Sequence, residues 1–144
     1  MPELADLPVT VGDETSFART VSESDVYLFA GITGDLSPNH VDEEAMRATP
    51  YGRRSAHGAL LVGYMSRCST MLCDRIETPG ETAVSYGYDR IRFVAPVFLG
   101  DTIAVTYRVT DVDQVRRRTL ADVRVVARGE LCAVAVHILQ WVRS

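Results

Sequence analysis

The sequence contains no lysine. Its 15 basic residues are all arginines, which excludes Schiff-base chemistry on a lysine and any phosphate loop built around one. Positive charge is not in excess either: the formal net charge is −4 over 144 residues, so nothing electrostatic argues for a nucleic-acid partner. No apolar run approaches the roughly 18 to 20 residues that cross a bilayer. The acidic opening MPELADLPVTVGDE lacks the basic region and apolar core of a secretory signal. A cytoplasmic protein without a membrane partner is expected. The three cysteines, Cys68, Cys73 and Cys132, are odd in number and form no CxxC pair, so buried thiols in a reducing compartment are expected. With His40, His57 and His137 they make no metal-ligand spacing, and no metal is expected. No Gly-rich phosphate loop occurs, and no GxSxG surrounds Ser55, Ser66 or Ser69.

What remains is an ordinary globular composition, 47% hydrophobic and 24% charged, enough for one domain over residues 1–144. The chain shows no repeat, low-complexity tract or linker. Residues 22–32, SESDVYLFAGI, predict a helix capped by Ser22 with Asp25 three positions on, and Gly31 and Gly34 bracket its exit. A short helix over 42–48 stops before Pro50 and Gly52. Residues 57–73 carry Leu60, Leu61, Tyr64, Met65, Cys68, Met71 and Leu72 at three- and four-residue steps, with small residues between them. That pattern predicts a long helix buried on most sides. After Pro79-Gly80 the period changes to two. Strands are expected over 82–94, 102–110, 119–128 and 131–142, with DVDQVRRR as a turn. Helices followed by four successive strands indicate an α+β fold, one antiparallel sheet wrapped around one buried helix: the hot-dog arrangement. Such a sheet leaves an edge and a face to cover, so a dimer is expected.

Two short stretches carry candidate chemistry. In GDLSPNH, residues 34–40, Asp35 and His40 flank Pro38. Pro38 fixes its own φ and pushes Ser37 toward an extended conformation, which stiffens the loop between an acid and a possible base. The alternative is a capped turn, with Asn39 or Asp42 capping the next helix. In SAHGALL, residues 55–61, His57 and Gly58 open the long helix. Its first turn offers unpaired N–H groups at the positive end of the dipole, and a glycine there lets a ligand approach the backbone. The alternative is that His57 caps the helix and Gly58 eases packing.

Taken together, FAGITGDLSPNHVDEEAM and SAHGALLVGYMS, with RFVAPVFLGDTI at residues 92–103, resemble the MaoC-like dehydratases, the (R)-specific enoyl-CoA hydratases. Gly34, Asp35, Pro38, His40, Asp42 and Ala56-His57-Gly58 match the motif. Ser37 replaces the usual asparagine and Asn39 the usual apolar residue. The resemblance implies a hot-dog dimer, or a dimer of dimers, that adds water syn to a trans-2-enoyl-CoA to give an (R)-3-hydroxyacyl-CoA. It needs no cofactor beyond the coenzyme A of the substrate. Carried over, Asp35 would take a proton from the water, and His40 would hold that water and help deliver a proton to the α-carbon. The Gly58 N–H would polarise the thioester carbonyl, and Ser66 and His57 would contact substrate beside Asn39. A base, an acid and an oxyanion donor are the minimum for this chemistry. Arg53, Arg54, Arg90, Arg92 and the run Arg116–Arg118 are the candidates for the coenzyme A phosphates.

Two rivals are weighed against this. A hot-dog thioesterase would often carry a carboxylate on the central helix, and residues 57–73 contain neither Asp nor Glu. A non-catalytic acyl-CoA-binding subunit would often lose one of the pair, and both Asp35 and His40 are present.

Overall fold

The structure, a computed structural model, describes residues 4–144; the start of the acidic N-terminal stretch, residues 1–3, lies outside the described residues. The elements run β1 (Glu14–Thr20), α1 (Glu23–Thr33), α2 (Pro38–Val41), α3 (Glu43–Arg47), α4 (Gly58–Cys73), β2 (Glu81–Phe93), β3 (Thr102–Asp113), β4 (Arg118–Ala127) and β5 (Glu130–Arg143). The strands form one sheet in the order β1-β3-β4-β5-β2, antiparallel at every pairing. None of the described helices is long and apolar enough to cross a membrane.

Period-two alternation builds the inner face of the sheet. Ile103, Val105, Tyr107 and Val109 of β3 are buried, as are Ala121, Val123, Val125 and Ala127 of β4 and Ala133, Ala135, Leu139 and Trp141 of β5. Against this face α4 sets Leu61, Met65, Cys68 and Leu72. Each aliphatic side chain so buried contributes about 1.5–3 kcal/mol relative to leaving it in water. The register keeps these residues on one side: Val105 stands opposite Val125, and Val123 opposite Ala135.

Several elements depart from what the sequence predicts. There are five strands, because Glu14–Thr20 pairs with β3 as an edge. That strand turns only Thr15 and, in part, Phe17 inward, so it lacks an apolar alternation to announce it. The turn between β3 and β4 is shorter than expected. Asp111 to Asp113 pair with Leu120 to Arg118, and the oppositely charged Asp113 and Arg118 face each other across the hairpin. Gly34 alone, in the left-handed region at φ 78°, caps α1, while Gly31 lies within the helix. Finally, α4 is buried along one face only. Ala59, Gly63, Ser66, Arg67 and Thr70 are exposed, because the sheet curves around one side of the helix and none of the described residues covers the other.

Candidate active site

α1 ends where the site begins. Ser22 and Asp25 form the expected capping box at its start, and Gly34 closes its end by donating its N–H to the Ala30 carbonyl at 2.8 Å. The chain then crosses an exposed loop, Gly34–Ser37, in which the Ser37 N–H donates to Asp35 Oδ1 at 3.3 Å. Pro38 starts the single turn of α2, the position where its missing N–H costs nothing. This turn, absent from the sequence reading, brings His40 round to face the protein interior, where it is 8% exposed. Asp42, not Asn39, caps the helix that follows, accepting from the Ala45 N–H at 3.0 Å.

The segment just before α4 docks against this turn. Ser55 N–H donates to the Asn39 carbonyl at 2.9 Å, and His40 Nδ1 lies 2.7 Å from the Ser55 carbonyl. A carbonyl only accepts, so Nδ1 carries the hydrogen and Nε2 presents a lone pair. The Asn39 amide nitrogen lies 3.3 Å from that Nε2. On its other side the segment is tied to the loop after β2, through Ala56 N–H to the Val97 carbonyl at 2.7 Å.

Between these pieces opens a cleft of about 360 Å³, within the range of small-molecule sites. Asn39, His40, Ser55 and Gly58 supply its polar wall. The rest of the lining is largely apolar, from Met46 and Tyr51 to Phe93 and Val97. Gly58 is the first residue of α4, so its N–H has no acceptor within the helix. Asp35 stands beside the cleft rather than in its lining, with its carboxylate and a ring nitrogen of His40 and of His57 all within 4.8 Å of one another. A water hydrogen-bonded to two such groups at about 2.8 Å with a tetrahedral angle spans about 4.6 Å, which is within that limit.

The same three residues have the spacing of a metal-ligand set, but their orientation is unsuited to it. The His40 and His57 rings are stacked, 3.7 Å between centroids and 26° from parallel. An imidazole donates in its own plane, and two nearly parallel planes do not converge on one ion at about 2 Å.

The other residues singled out in the sequence are dispersed. His57 is 1% exposed and makes no cap bond with its side chain. It lies beneath His40 rather than on the cleft, because its ring is held between the Asp35 backbone and the stacked imidazole. Ser66 is on the uncovered face of α4, two turns beyond Gly58 and outside the cleft lining. Arg92 is exposed and donates to the carbonyl of its neighbour Ile91 at 2.7 Å. Arg53 is exposed and stacks on Phe98, 4.1 Å from the ring centroid, next to the cleft wall in sequence. Arg54 is occupied by Glu43 at 2.6 Å and Glu23 at 2.8 Å; these carboxylates hold its pKa above the ordinary value, and it braces α1 against α3. Arg117 pairs with Glu81, and Arg118 with Gln140 at 2.9 Å, at the far end of β2 from the cleft. Arg90 opens onto the outer face of the sheet beside Asp122 and Arg124. The cleft residues Met46, Tyr51 and Phe93 carried no individual signal in the sequence.

Glycine at position 58 has a reason other than ligand approach. A Cβ there would stand 2.5 Å from Phe93 Cε2. The missing side chain makes room for the Phe93 ring, which forms the outer wall of the cleft.

An antiparallel sheet around one helix, with an acid and an imidazole beside a cleft at the helix N-terminus, defines a hot-dog protein. The chain belongs to the MaoC like domain family, whose model matches residues 8–130. It is 38% identical over 125 residues to an (R)-specific enoyl-CoA hydratase of Rhodospirillum rubrum, covering 83% of each chain. It is 36% identical over 121 residues to a 3-hydroxybutyryl-CoA dehydratase of Methylorubrum extorquens, covering 82% of this chain and 73% of that one. Its fold matches the (R)-hydratase from A. caviae with a TM-score of 0.80 at 22% identity, over 92% of this chain and 97% of that one.

Proposed function

We propose that the protein is a hydro-lyase that adds water reversibly and syn to trans-2-enoyl-CoA, giving (R)-3-hydroxyacyl-CoA. One observation carries the reading: the Asp35 carboxylate and a ring nitrogen of His40 lie within 4.8 Å of one another, beside a cleft that Gly58 lines at the start of α4. Similarity to an (R)-specific enoyl-CoA hydratase and a 3-hydroxybutyryl-CoA dehydratase supports the substrate class.

The tautomer refines the division of labour. His40 Nδ1–H is committed to Ser55, so Nε2 has no proton to give until it has taken one. Asp35, as a carboxylate, only accepts. The proton that reaches the α-carbon is therefore the one that leaves the water. As the water oxygen bonds to the β-carbon, its proton passes to His40 Nε2, and the double-bond electrons move toward the thioester oxygen. The Gly58 N–H and the helix dipole stabilise that oxygen. Nε2–H then protonates the α-carbon from the face on which the water stood, which makes the addition syn. Asp35 holds the second water hydrogen and stabilises the transient imidazolium. Asn39 must release Nε2 for this to happen, and at 3.3 Å its hold is weak.

Coenzyme A enters as part of the substrate; the exposed Arg53 beside the cleft is the first candidate for its phosphates. The working unit is a homodimer or a dimer of dimers in the cytoplasm. The Asp35→Asn and His40→Ala proteins should each hydrate crotonyl-CoA at least about 100-fold more slowly than the parent, as expected for a positioned acid or base. Near-normal rates in folded variants would sink the assignment.

A further inference from the structure

We propose that His57 is a positioning residue that sets the spacing of the two proposed catalytic groups, a role that rests on the hydratase reading of Asp35 and His40. Its Nε2 lies 3.0 Å from the carbonyl oxygen of Asp35; since that oxygen only accepts, Nε2 carries the hydrogen. Its ring face supports the His40 imidazole at 3.7 Å. Phe29 of α1 packs on the same ring at 4.8 Å. One buried side chain thus touches both halves of the couple.

Two features separate this from ordinary packing. First, the Asp35 loop has little else to hold it. Residues 34–38 are exposed. Among the described residues, the other hydrogen bonds of Gly34 to Ser37 run to partners no more than four positions away. The bond from His57 spans 22 residues, and it ties the loop to the base of α4. Second, His57 Nδ1 is buried and has no hydrogen-bond partner. A phenylalanine would supply the same flat support without desolvating an acceptor. The imidazole is therefore explained by what its other nitrogen does, which is to hold the Asp35 backbone. Ser55, two residues earlier, holds His40 through its carbonyl. The short segment 55–57 acts as a jig for both groups, and small errors in such spacing are expensive for catalysis.

The test separates the two contacts. His57→Phe keeps the flat support and loses the donor. His57→Gln keeps a donor at similar reach and loses the ring. His57→Ala loses both. For crotonyl-CoA hydration the expected result is a fall in kcat of about tenfold in the first two and about a hundredfold in the third, with KM within about threefold of the parent. The backbone amides of Leu36 and Ser37, followed by NMR relaxation, should become more mobile in the Phe and Ala proteins and stay ordered in the Gln protein. A raised KM at unchanged kcat would overturn the proposal in favour of a substrate contact. A lowered Tm with unchanged kcat would overturn it in favour of a purely structural role. If the parent protein shows no hydration, the hydratase reading falls on its own, and the relaxation data decide the clamp: equal order in all four proteins overturns it.

Discussion

His137 is the residue whose environment has the clearest consequence outside the cleft. It is fully buried on β5, stacked on Tyr88 at 4.4 Å. Tyr107 Oη meets its Nδ1 at 2.9 Å and Ser85 Oγ its Nε2 at 2.8 Å. Burial pushes its pKa down to about 4. The unfolded chain takes up this proton near pH 6.5 and the folded chain only near 4. The stabilisation is therefore complete above about pH 6.5 and drains away as pH falls toward 4, by roughly 3 kcal/mol. Urea unfolding at pH 7 and pH 4.5 should show that loss, and His137→Gln should flatten it; an equal slope in the variant would remove His137 as the cause. The proposed cleft chemistry could be suggested at this scale only where a residue type carries its own meaning. Asp35, His40 and Gly58 could be picked out because an acid, an imidazole and a helix-opening glycine each suggest a task. His57 could be noticed but not interpreted. Its partner is a main-chain carbonyl far along the chain, which leaves no pattern in the sequence. The arginines were harder still, since the ion pairs that occupy Arg54 and Arg117 exist only once the chain is folded.

At the scale of elements, the sequence announced every strand with an apolar alternation and both longer helices. It missed β1 and α2. β1 exists because β3 offers it a partner, and α2 because Pro38 prepays a helical φ for one turn. The start of α4 matters most for function. Gly58 and Phe93 belong to different elements and share one space, with a Cβ on the first meeting the ring of the second at 2.5 Å. Phe93 is 52% exposed, so Gly58→Ala should fold and displace the ring rather than break the helix. The expected effect is a loss of about tenfold in kcat/KM for crotonyl-CoA. Replacing Phe93 by alanine in the same chain should relieve most of it, a coupling of about 1 kcal/mol in a double-mutant cycle. Additive losses would mean that the glycine serves something other than the ring.

At the scale of the molecule, the hot-dog arrangement followed from element order alone, because one apolar helix and a run of strands have few ways to bury each other. How far the helix is covered did not follow. The exposed face of α4 carries Arg67 among small residues, and β2 leaves a 13-residue edge bearing Val84 and Tyr86, the latter 63% exposed. These are the surfaces on which a homodimer would close. Among the described residues, a Cβ at Gly63 would meet nothing within 4 Å. Gly63→Glu should therefore leave the fold intact while sedimentation shifts from twice the chain mass to once. A monomeric parent would contradict the dimer. Chiral analysis of the product formed from crotonyl-CoA decides what the cleft does. The expected product is (R)-3-hydroxybutyryl-CoA with the thioester intact. The (S) product, or free coenzyme A released by hydrolysis, would contradict it.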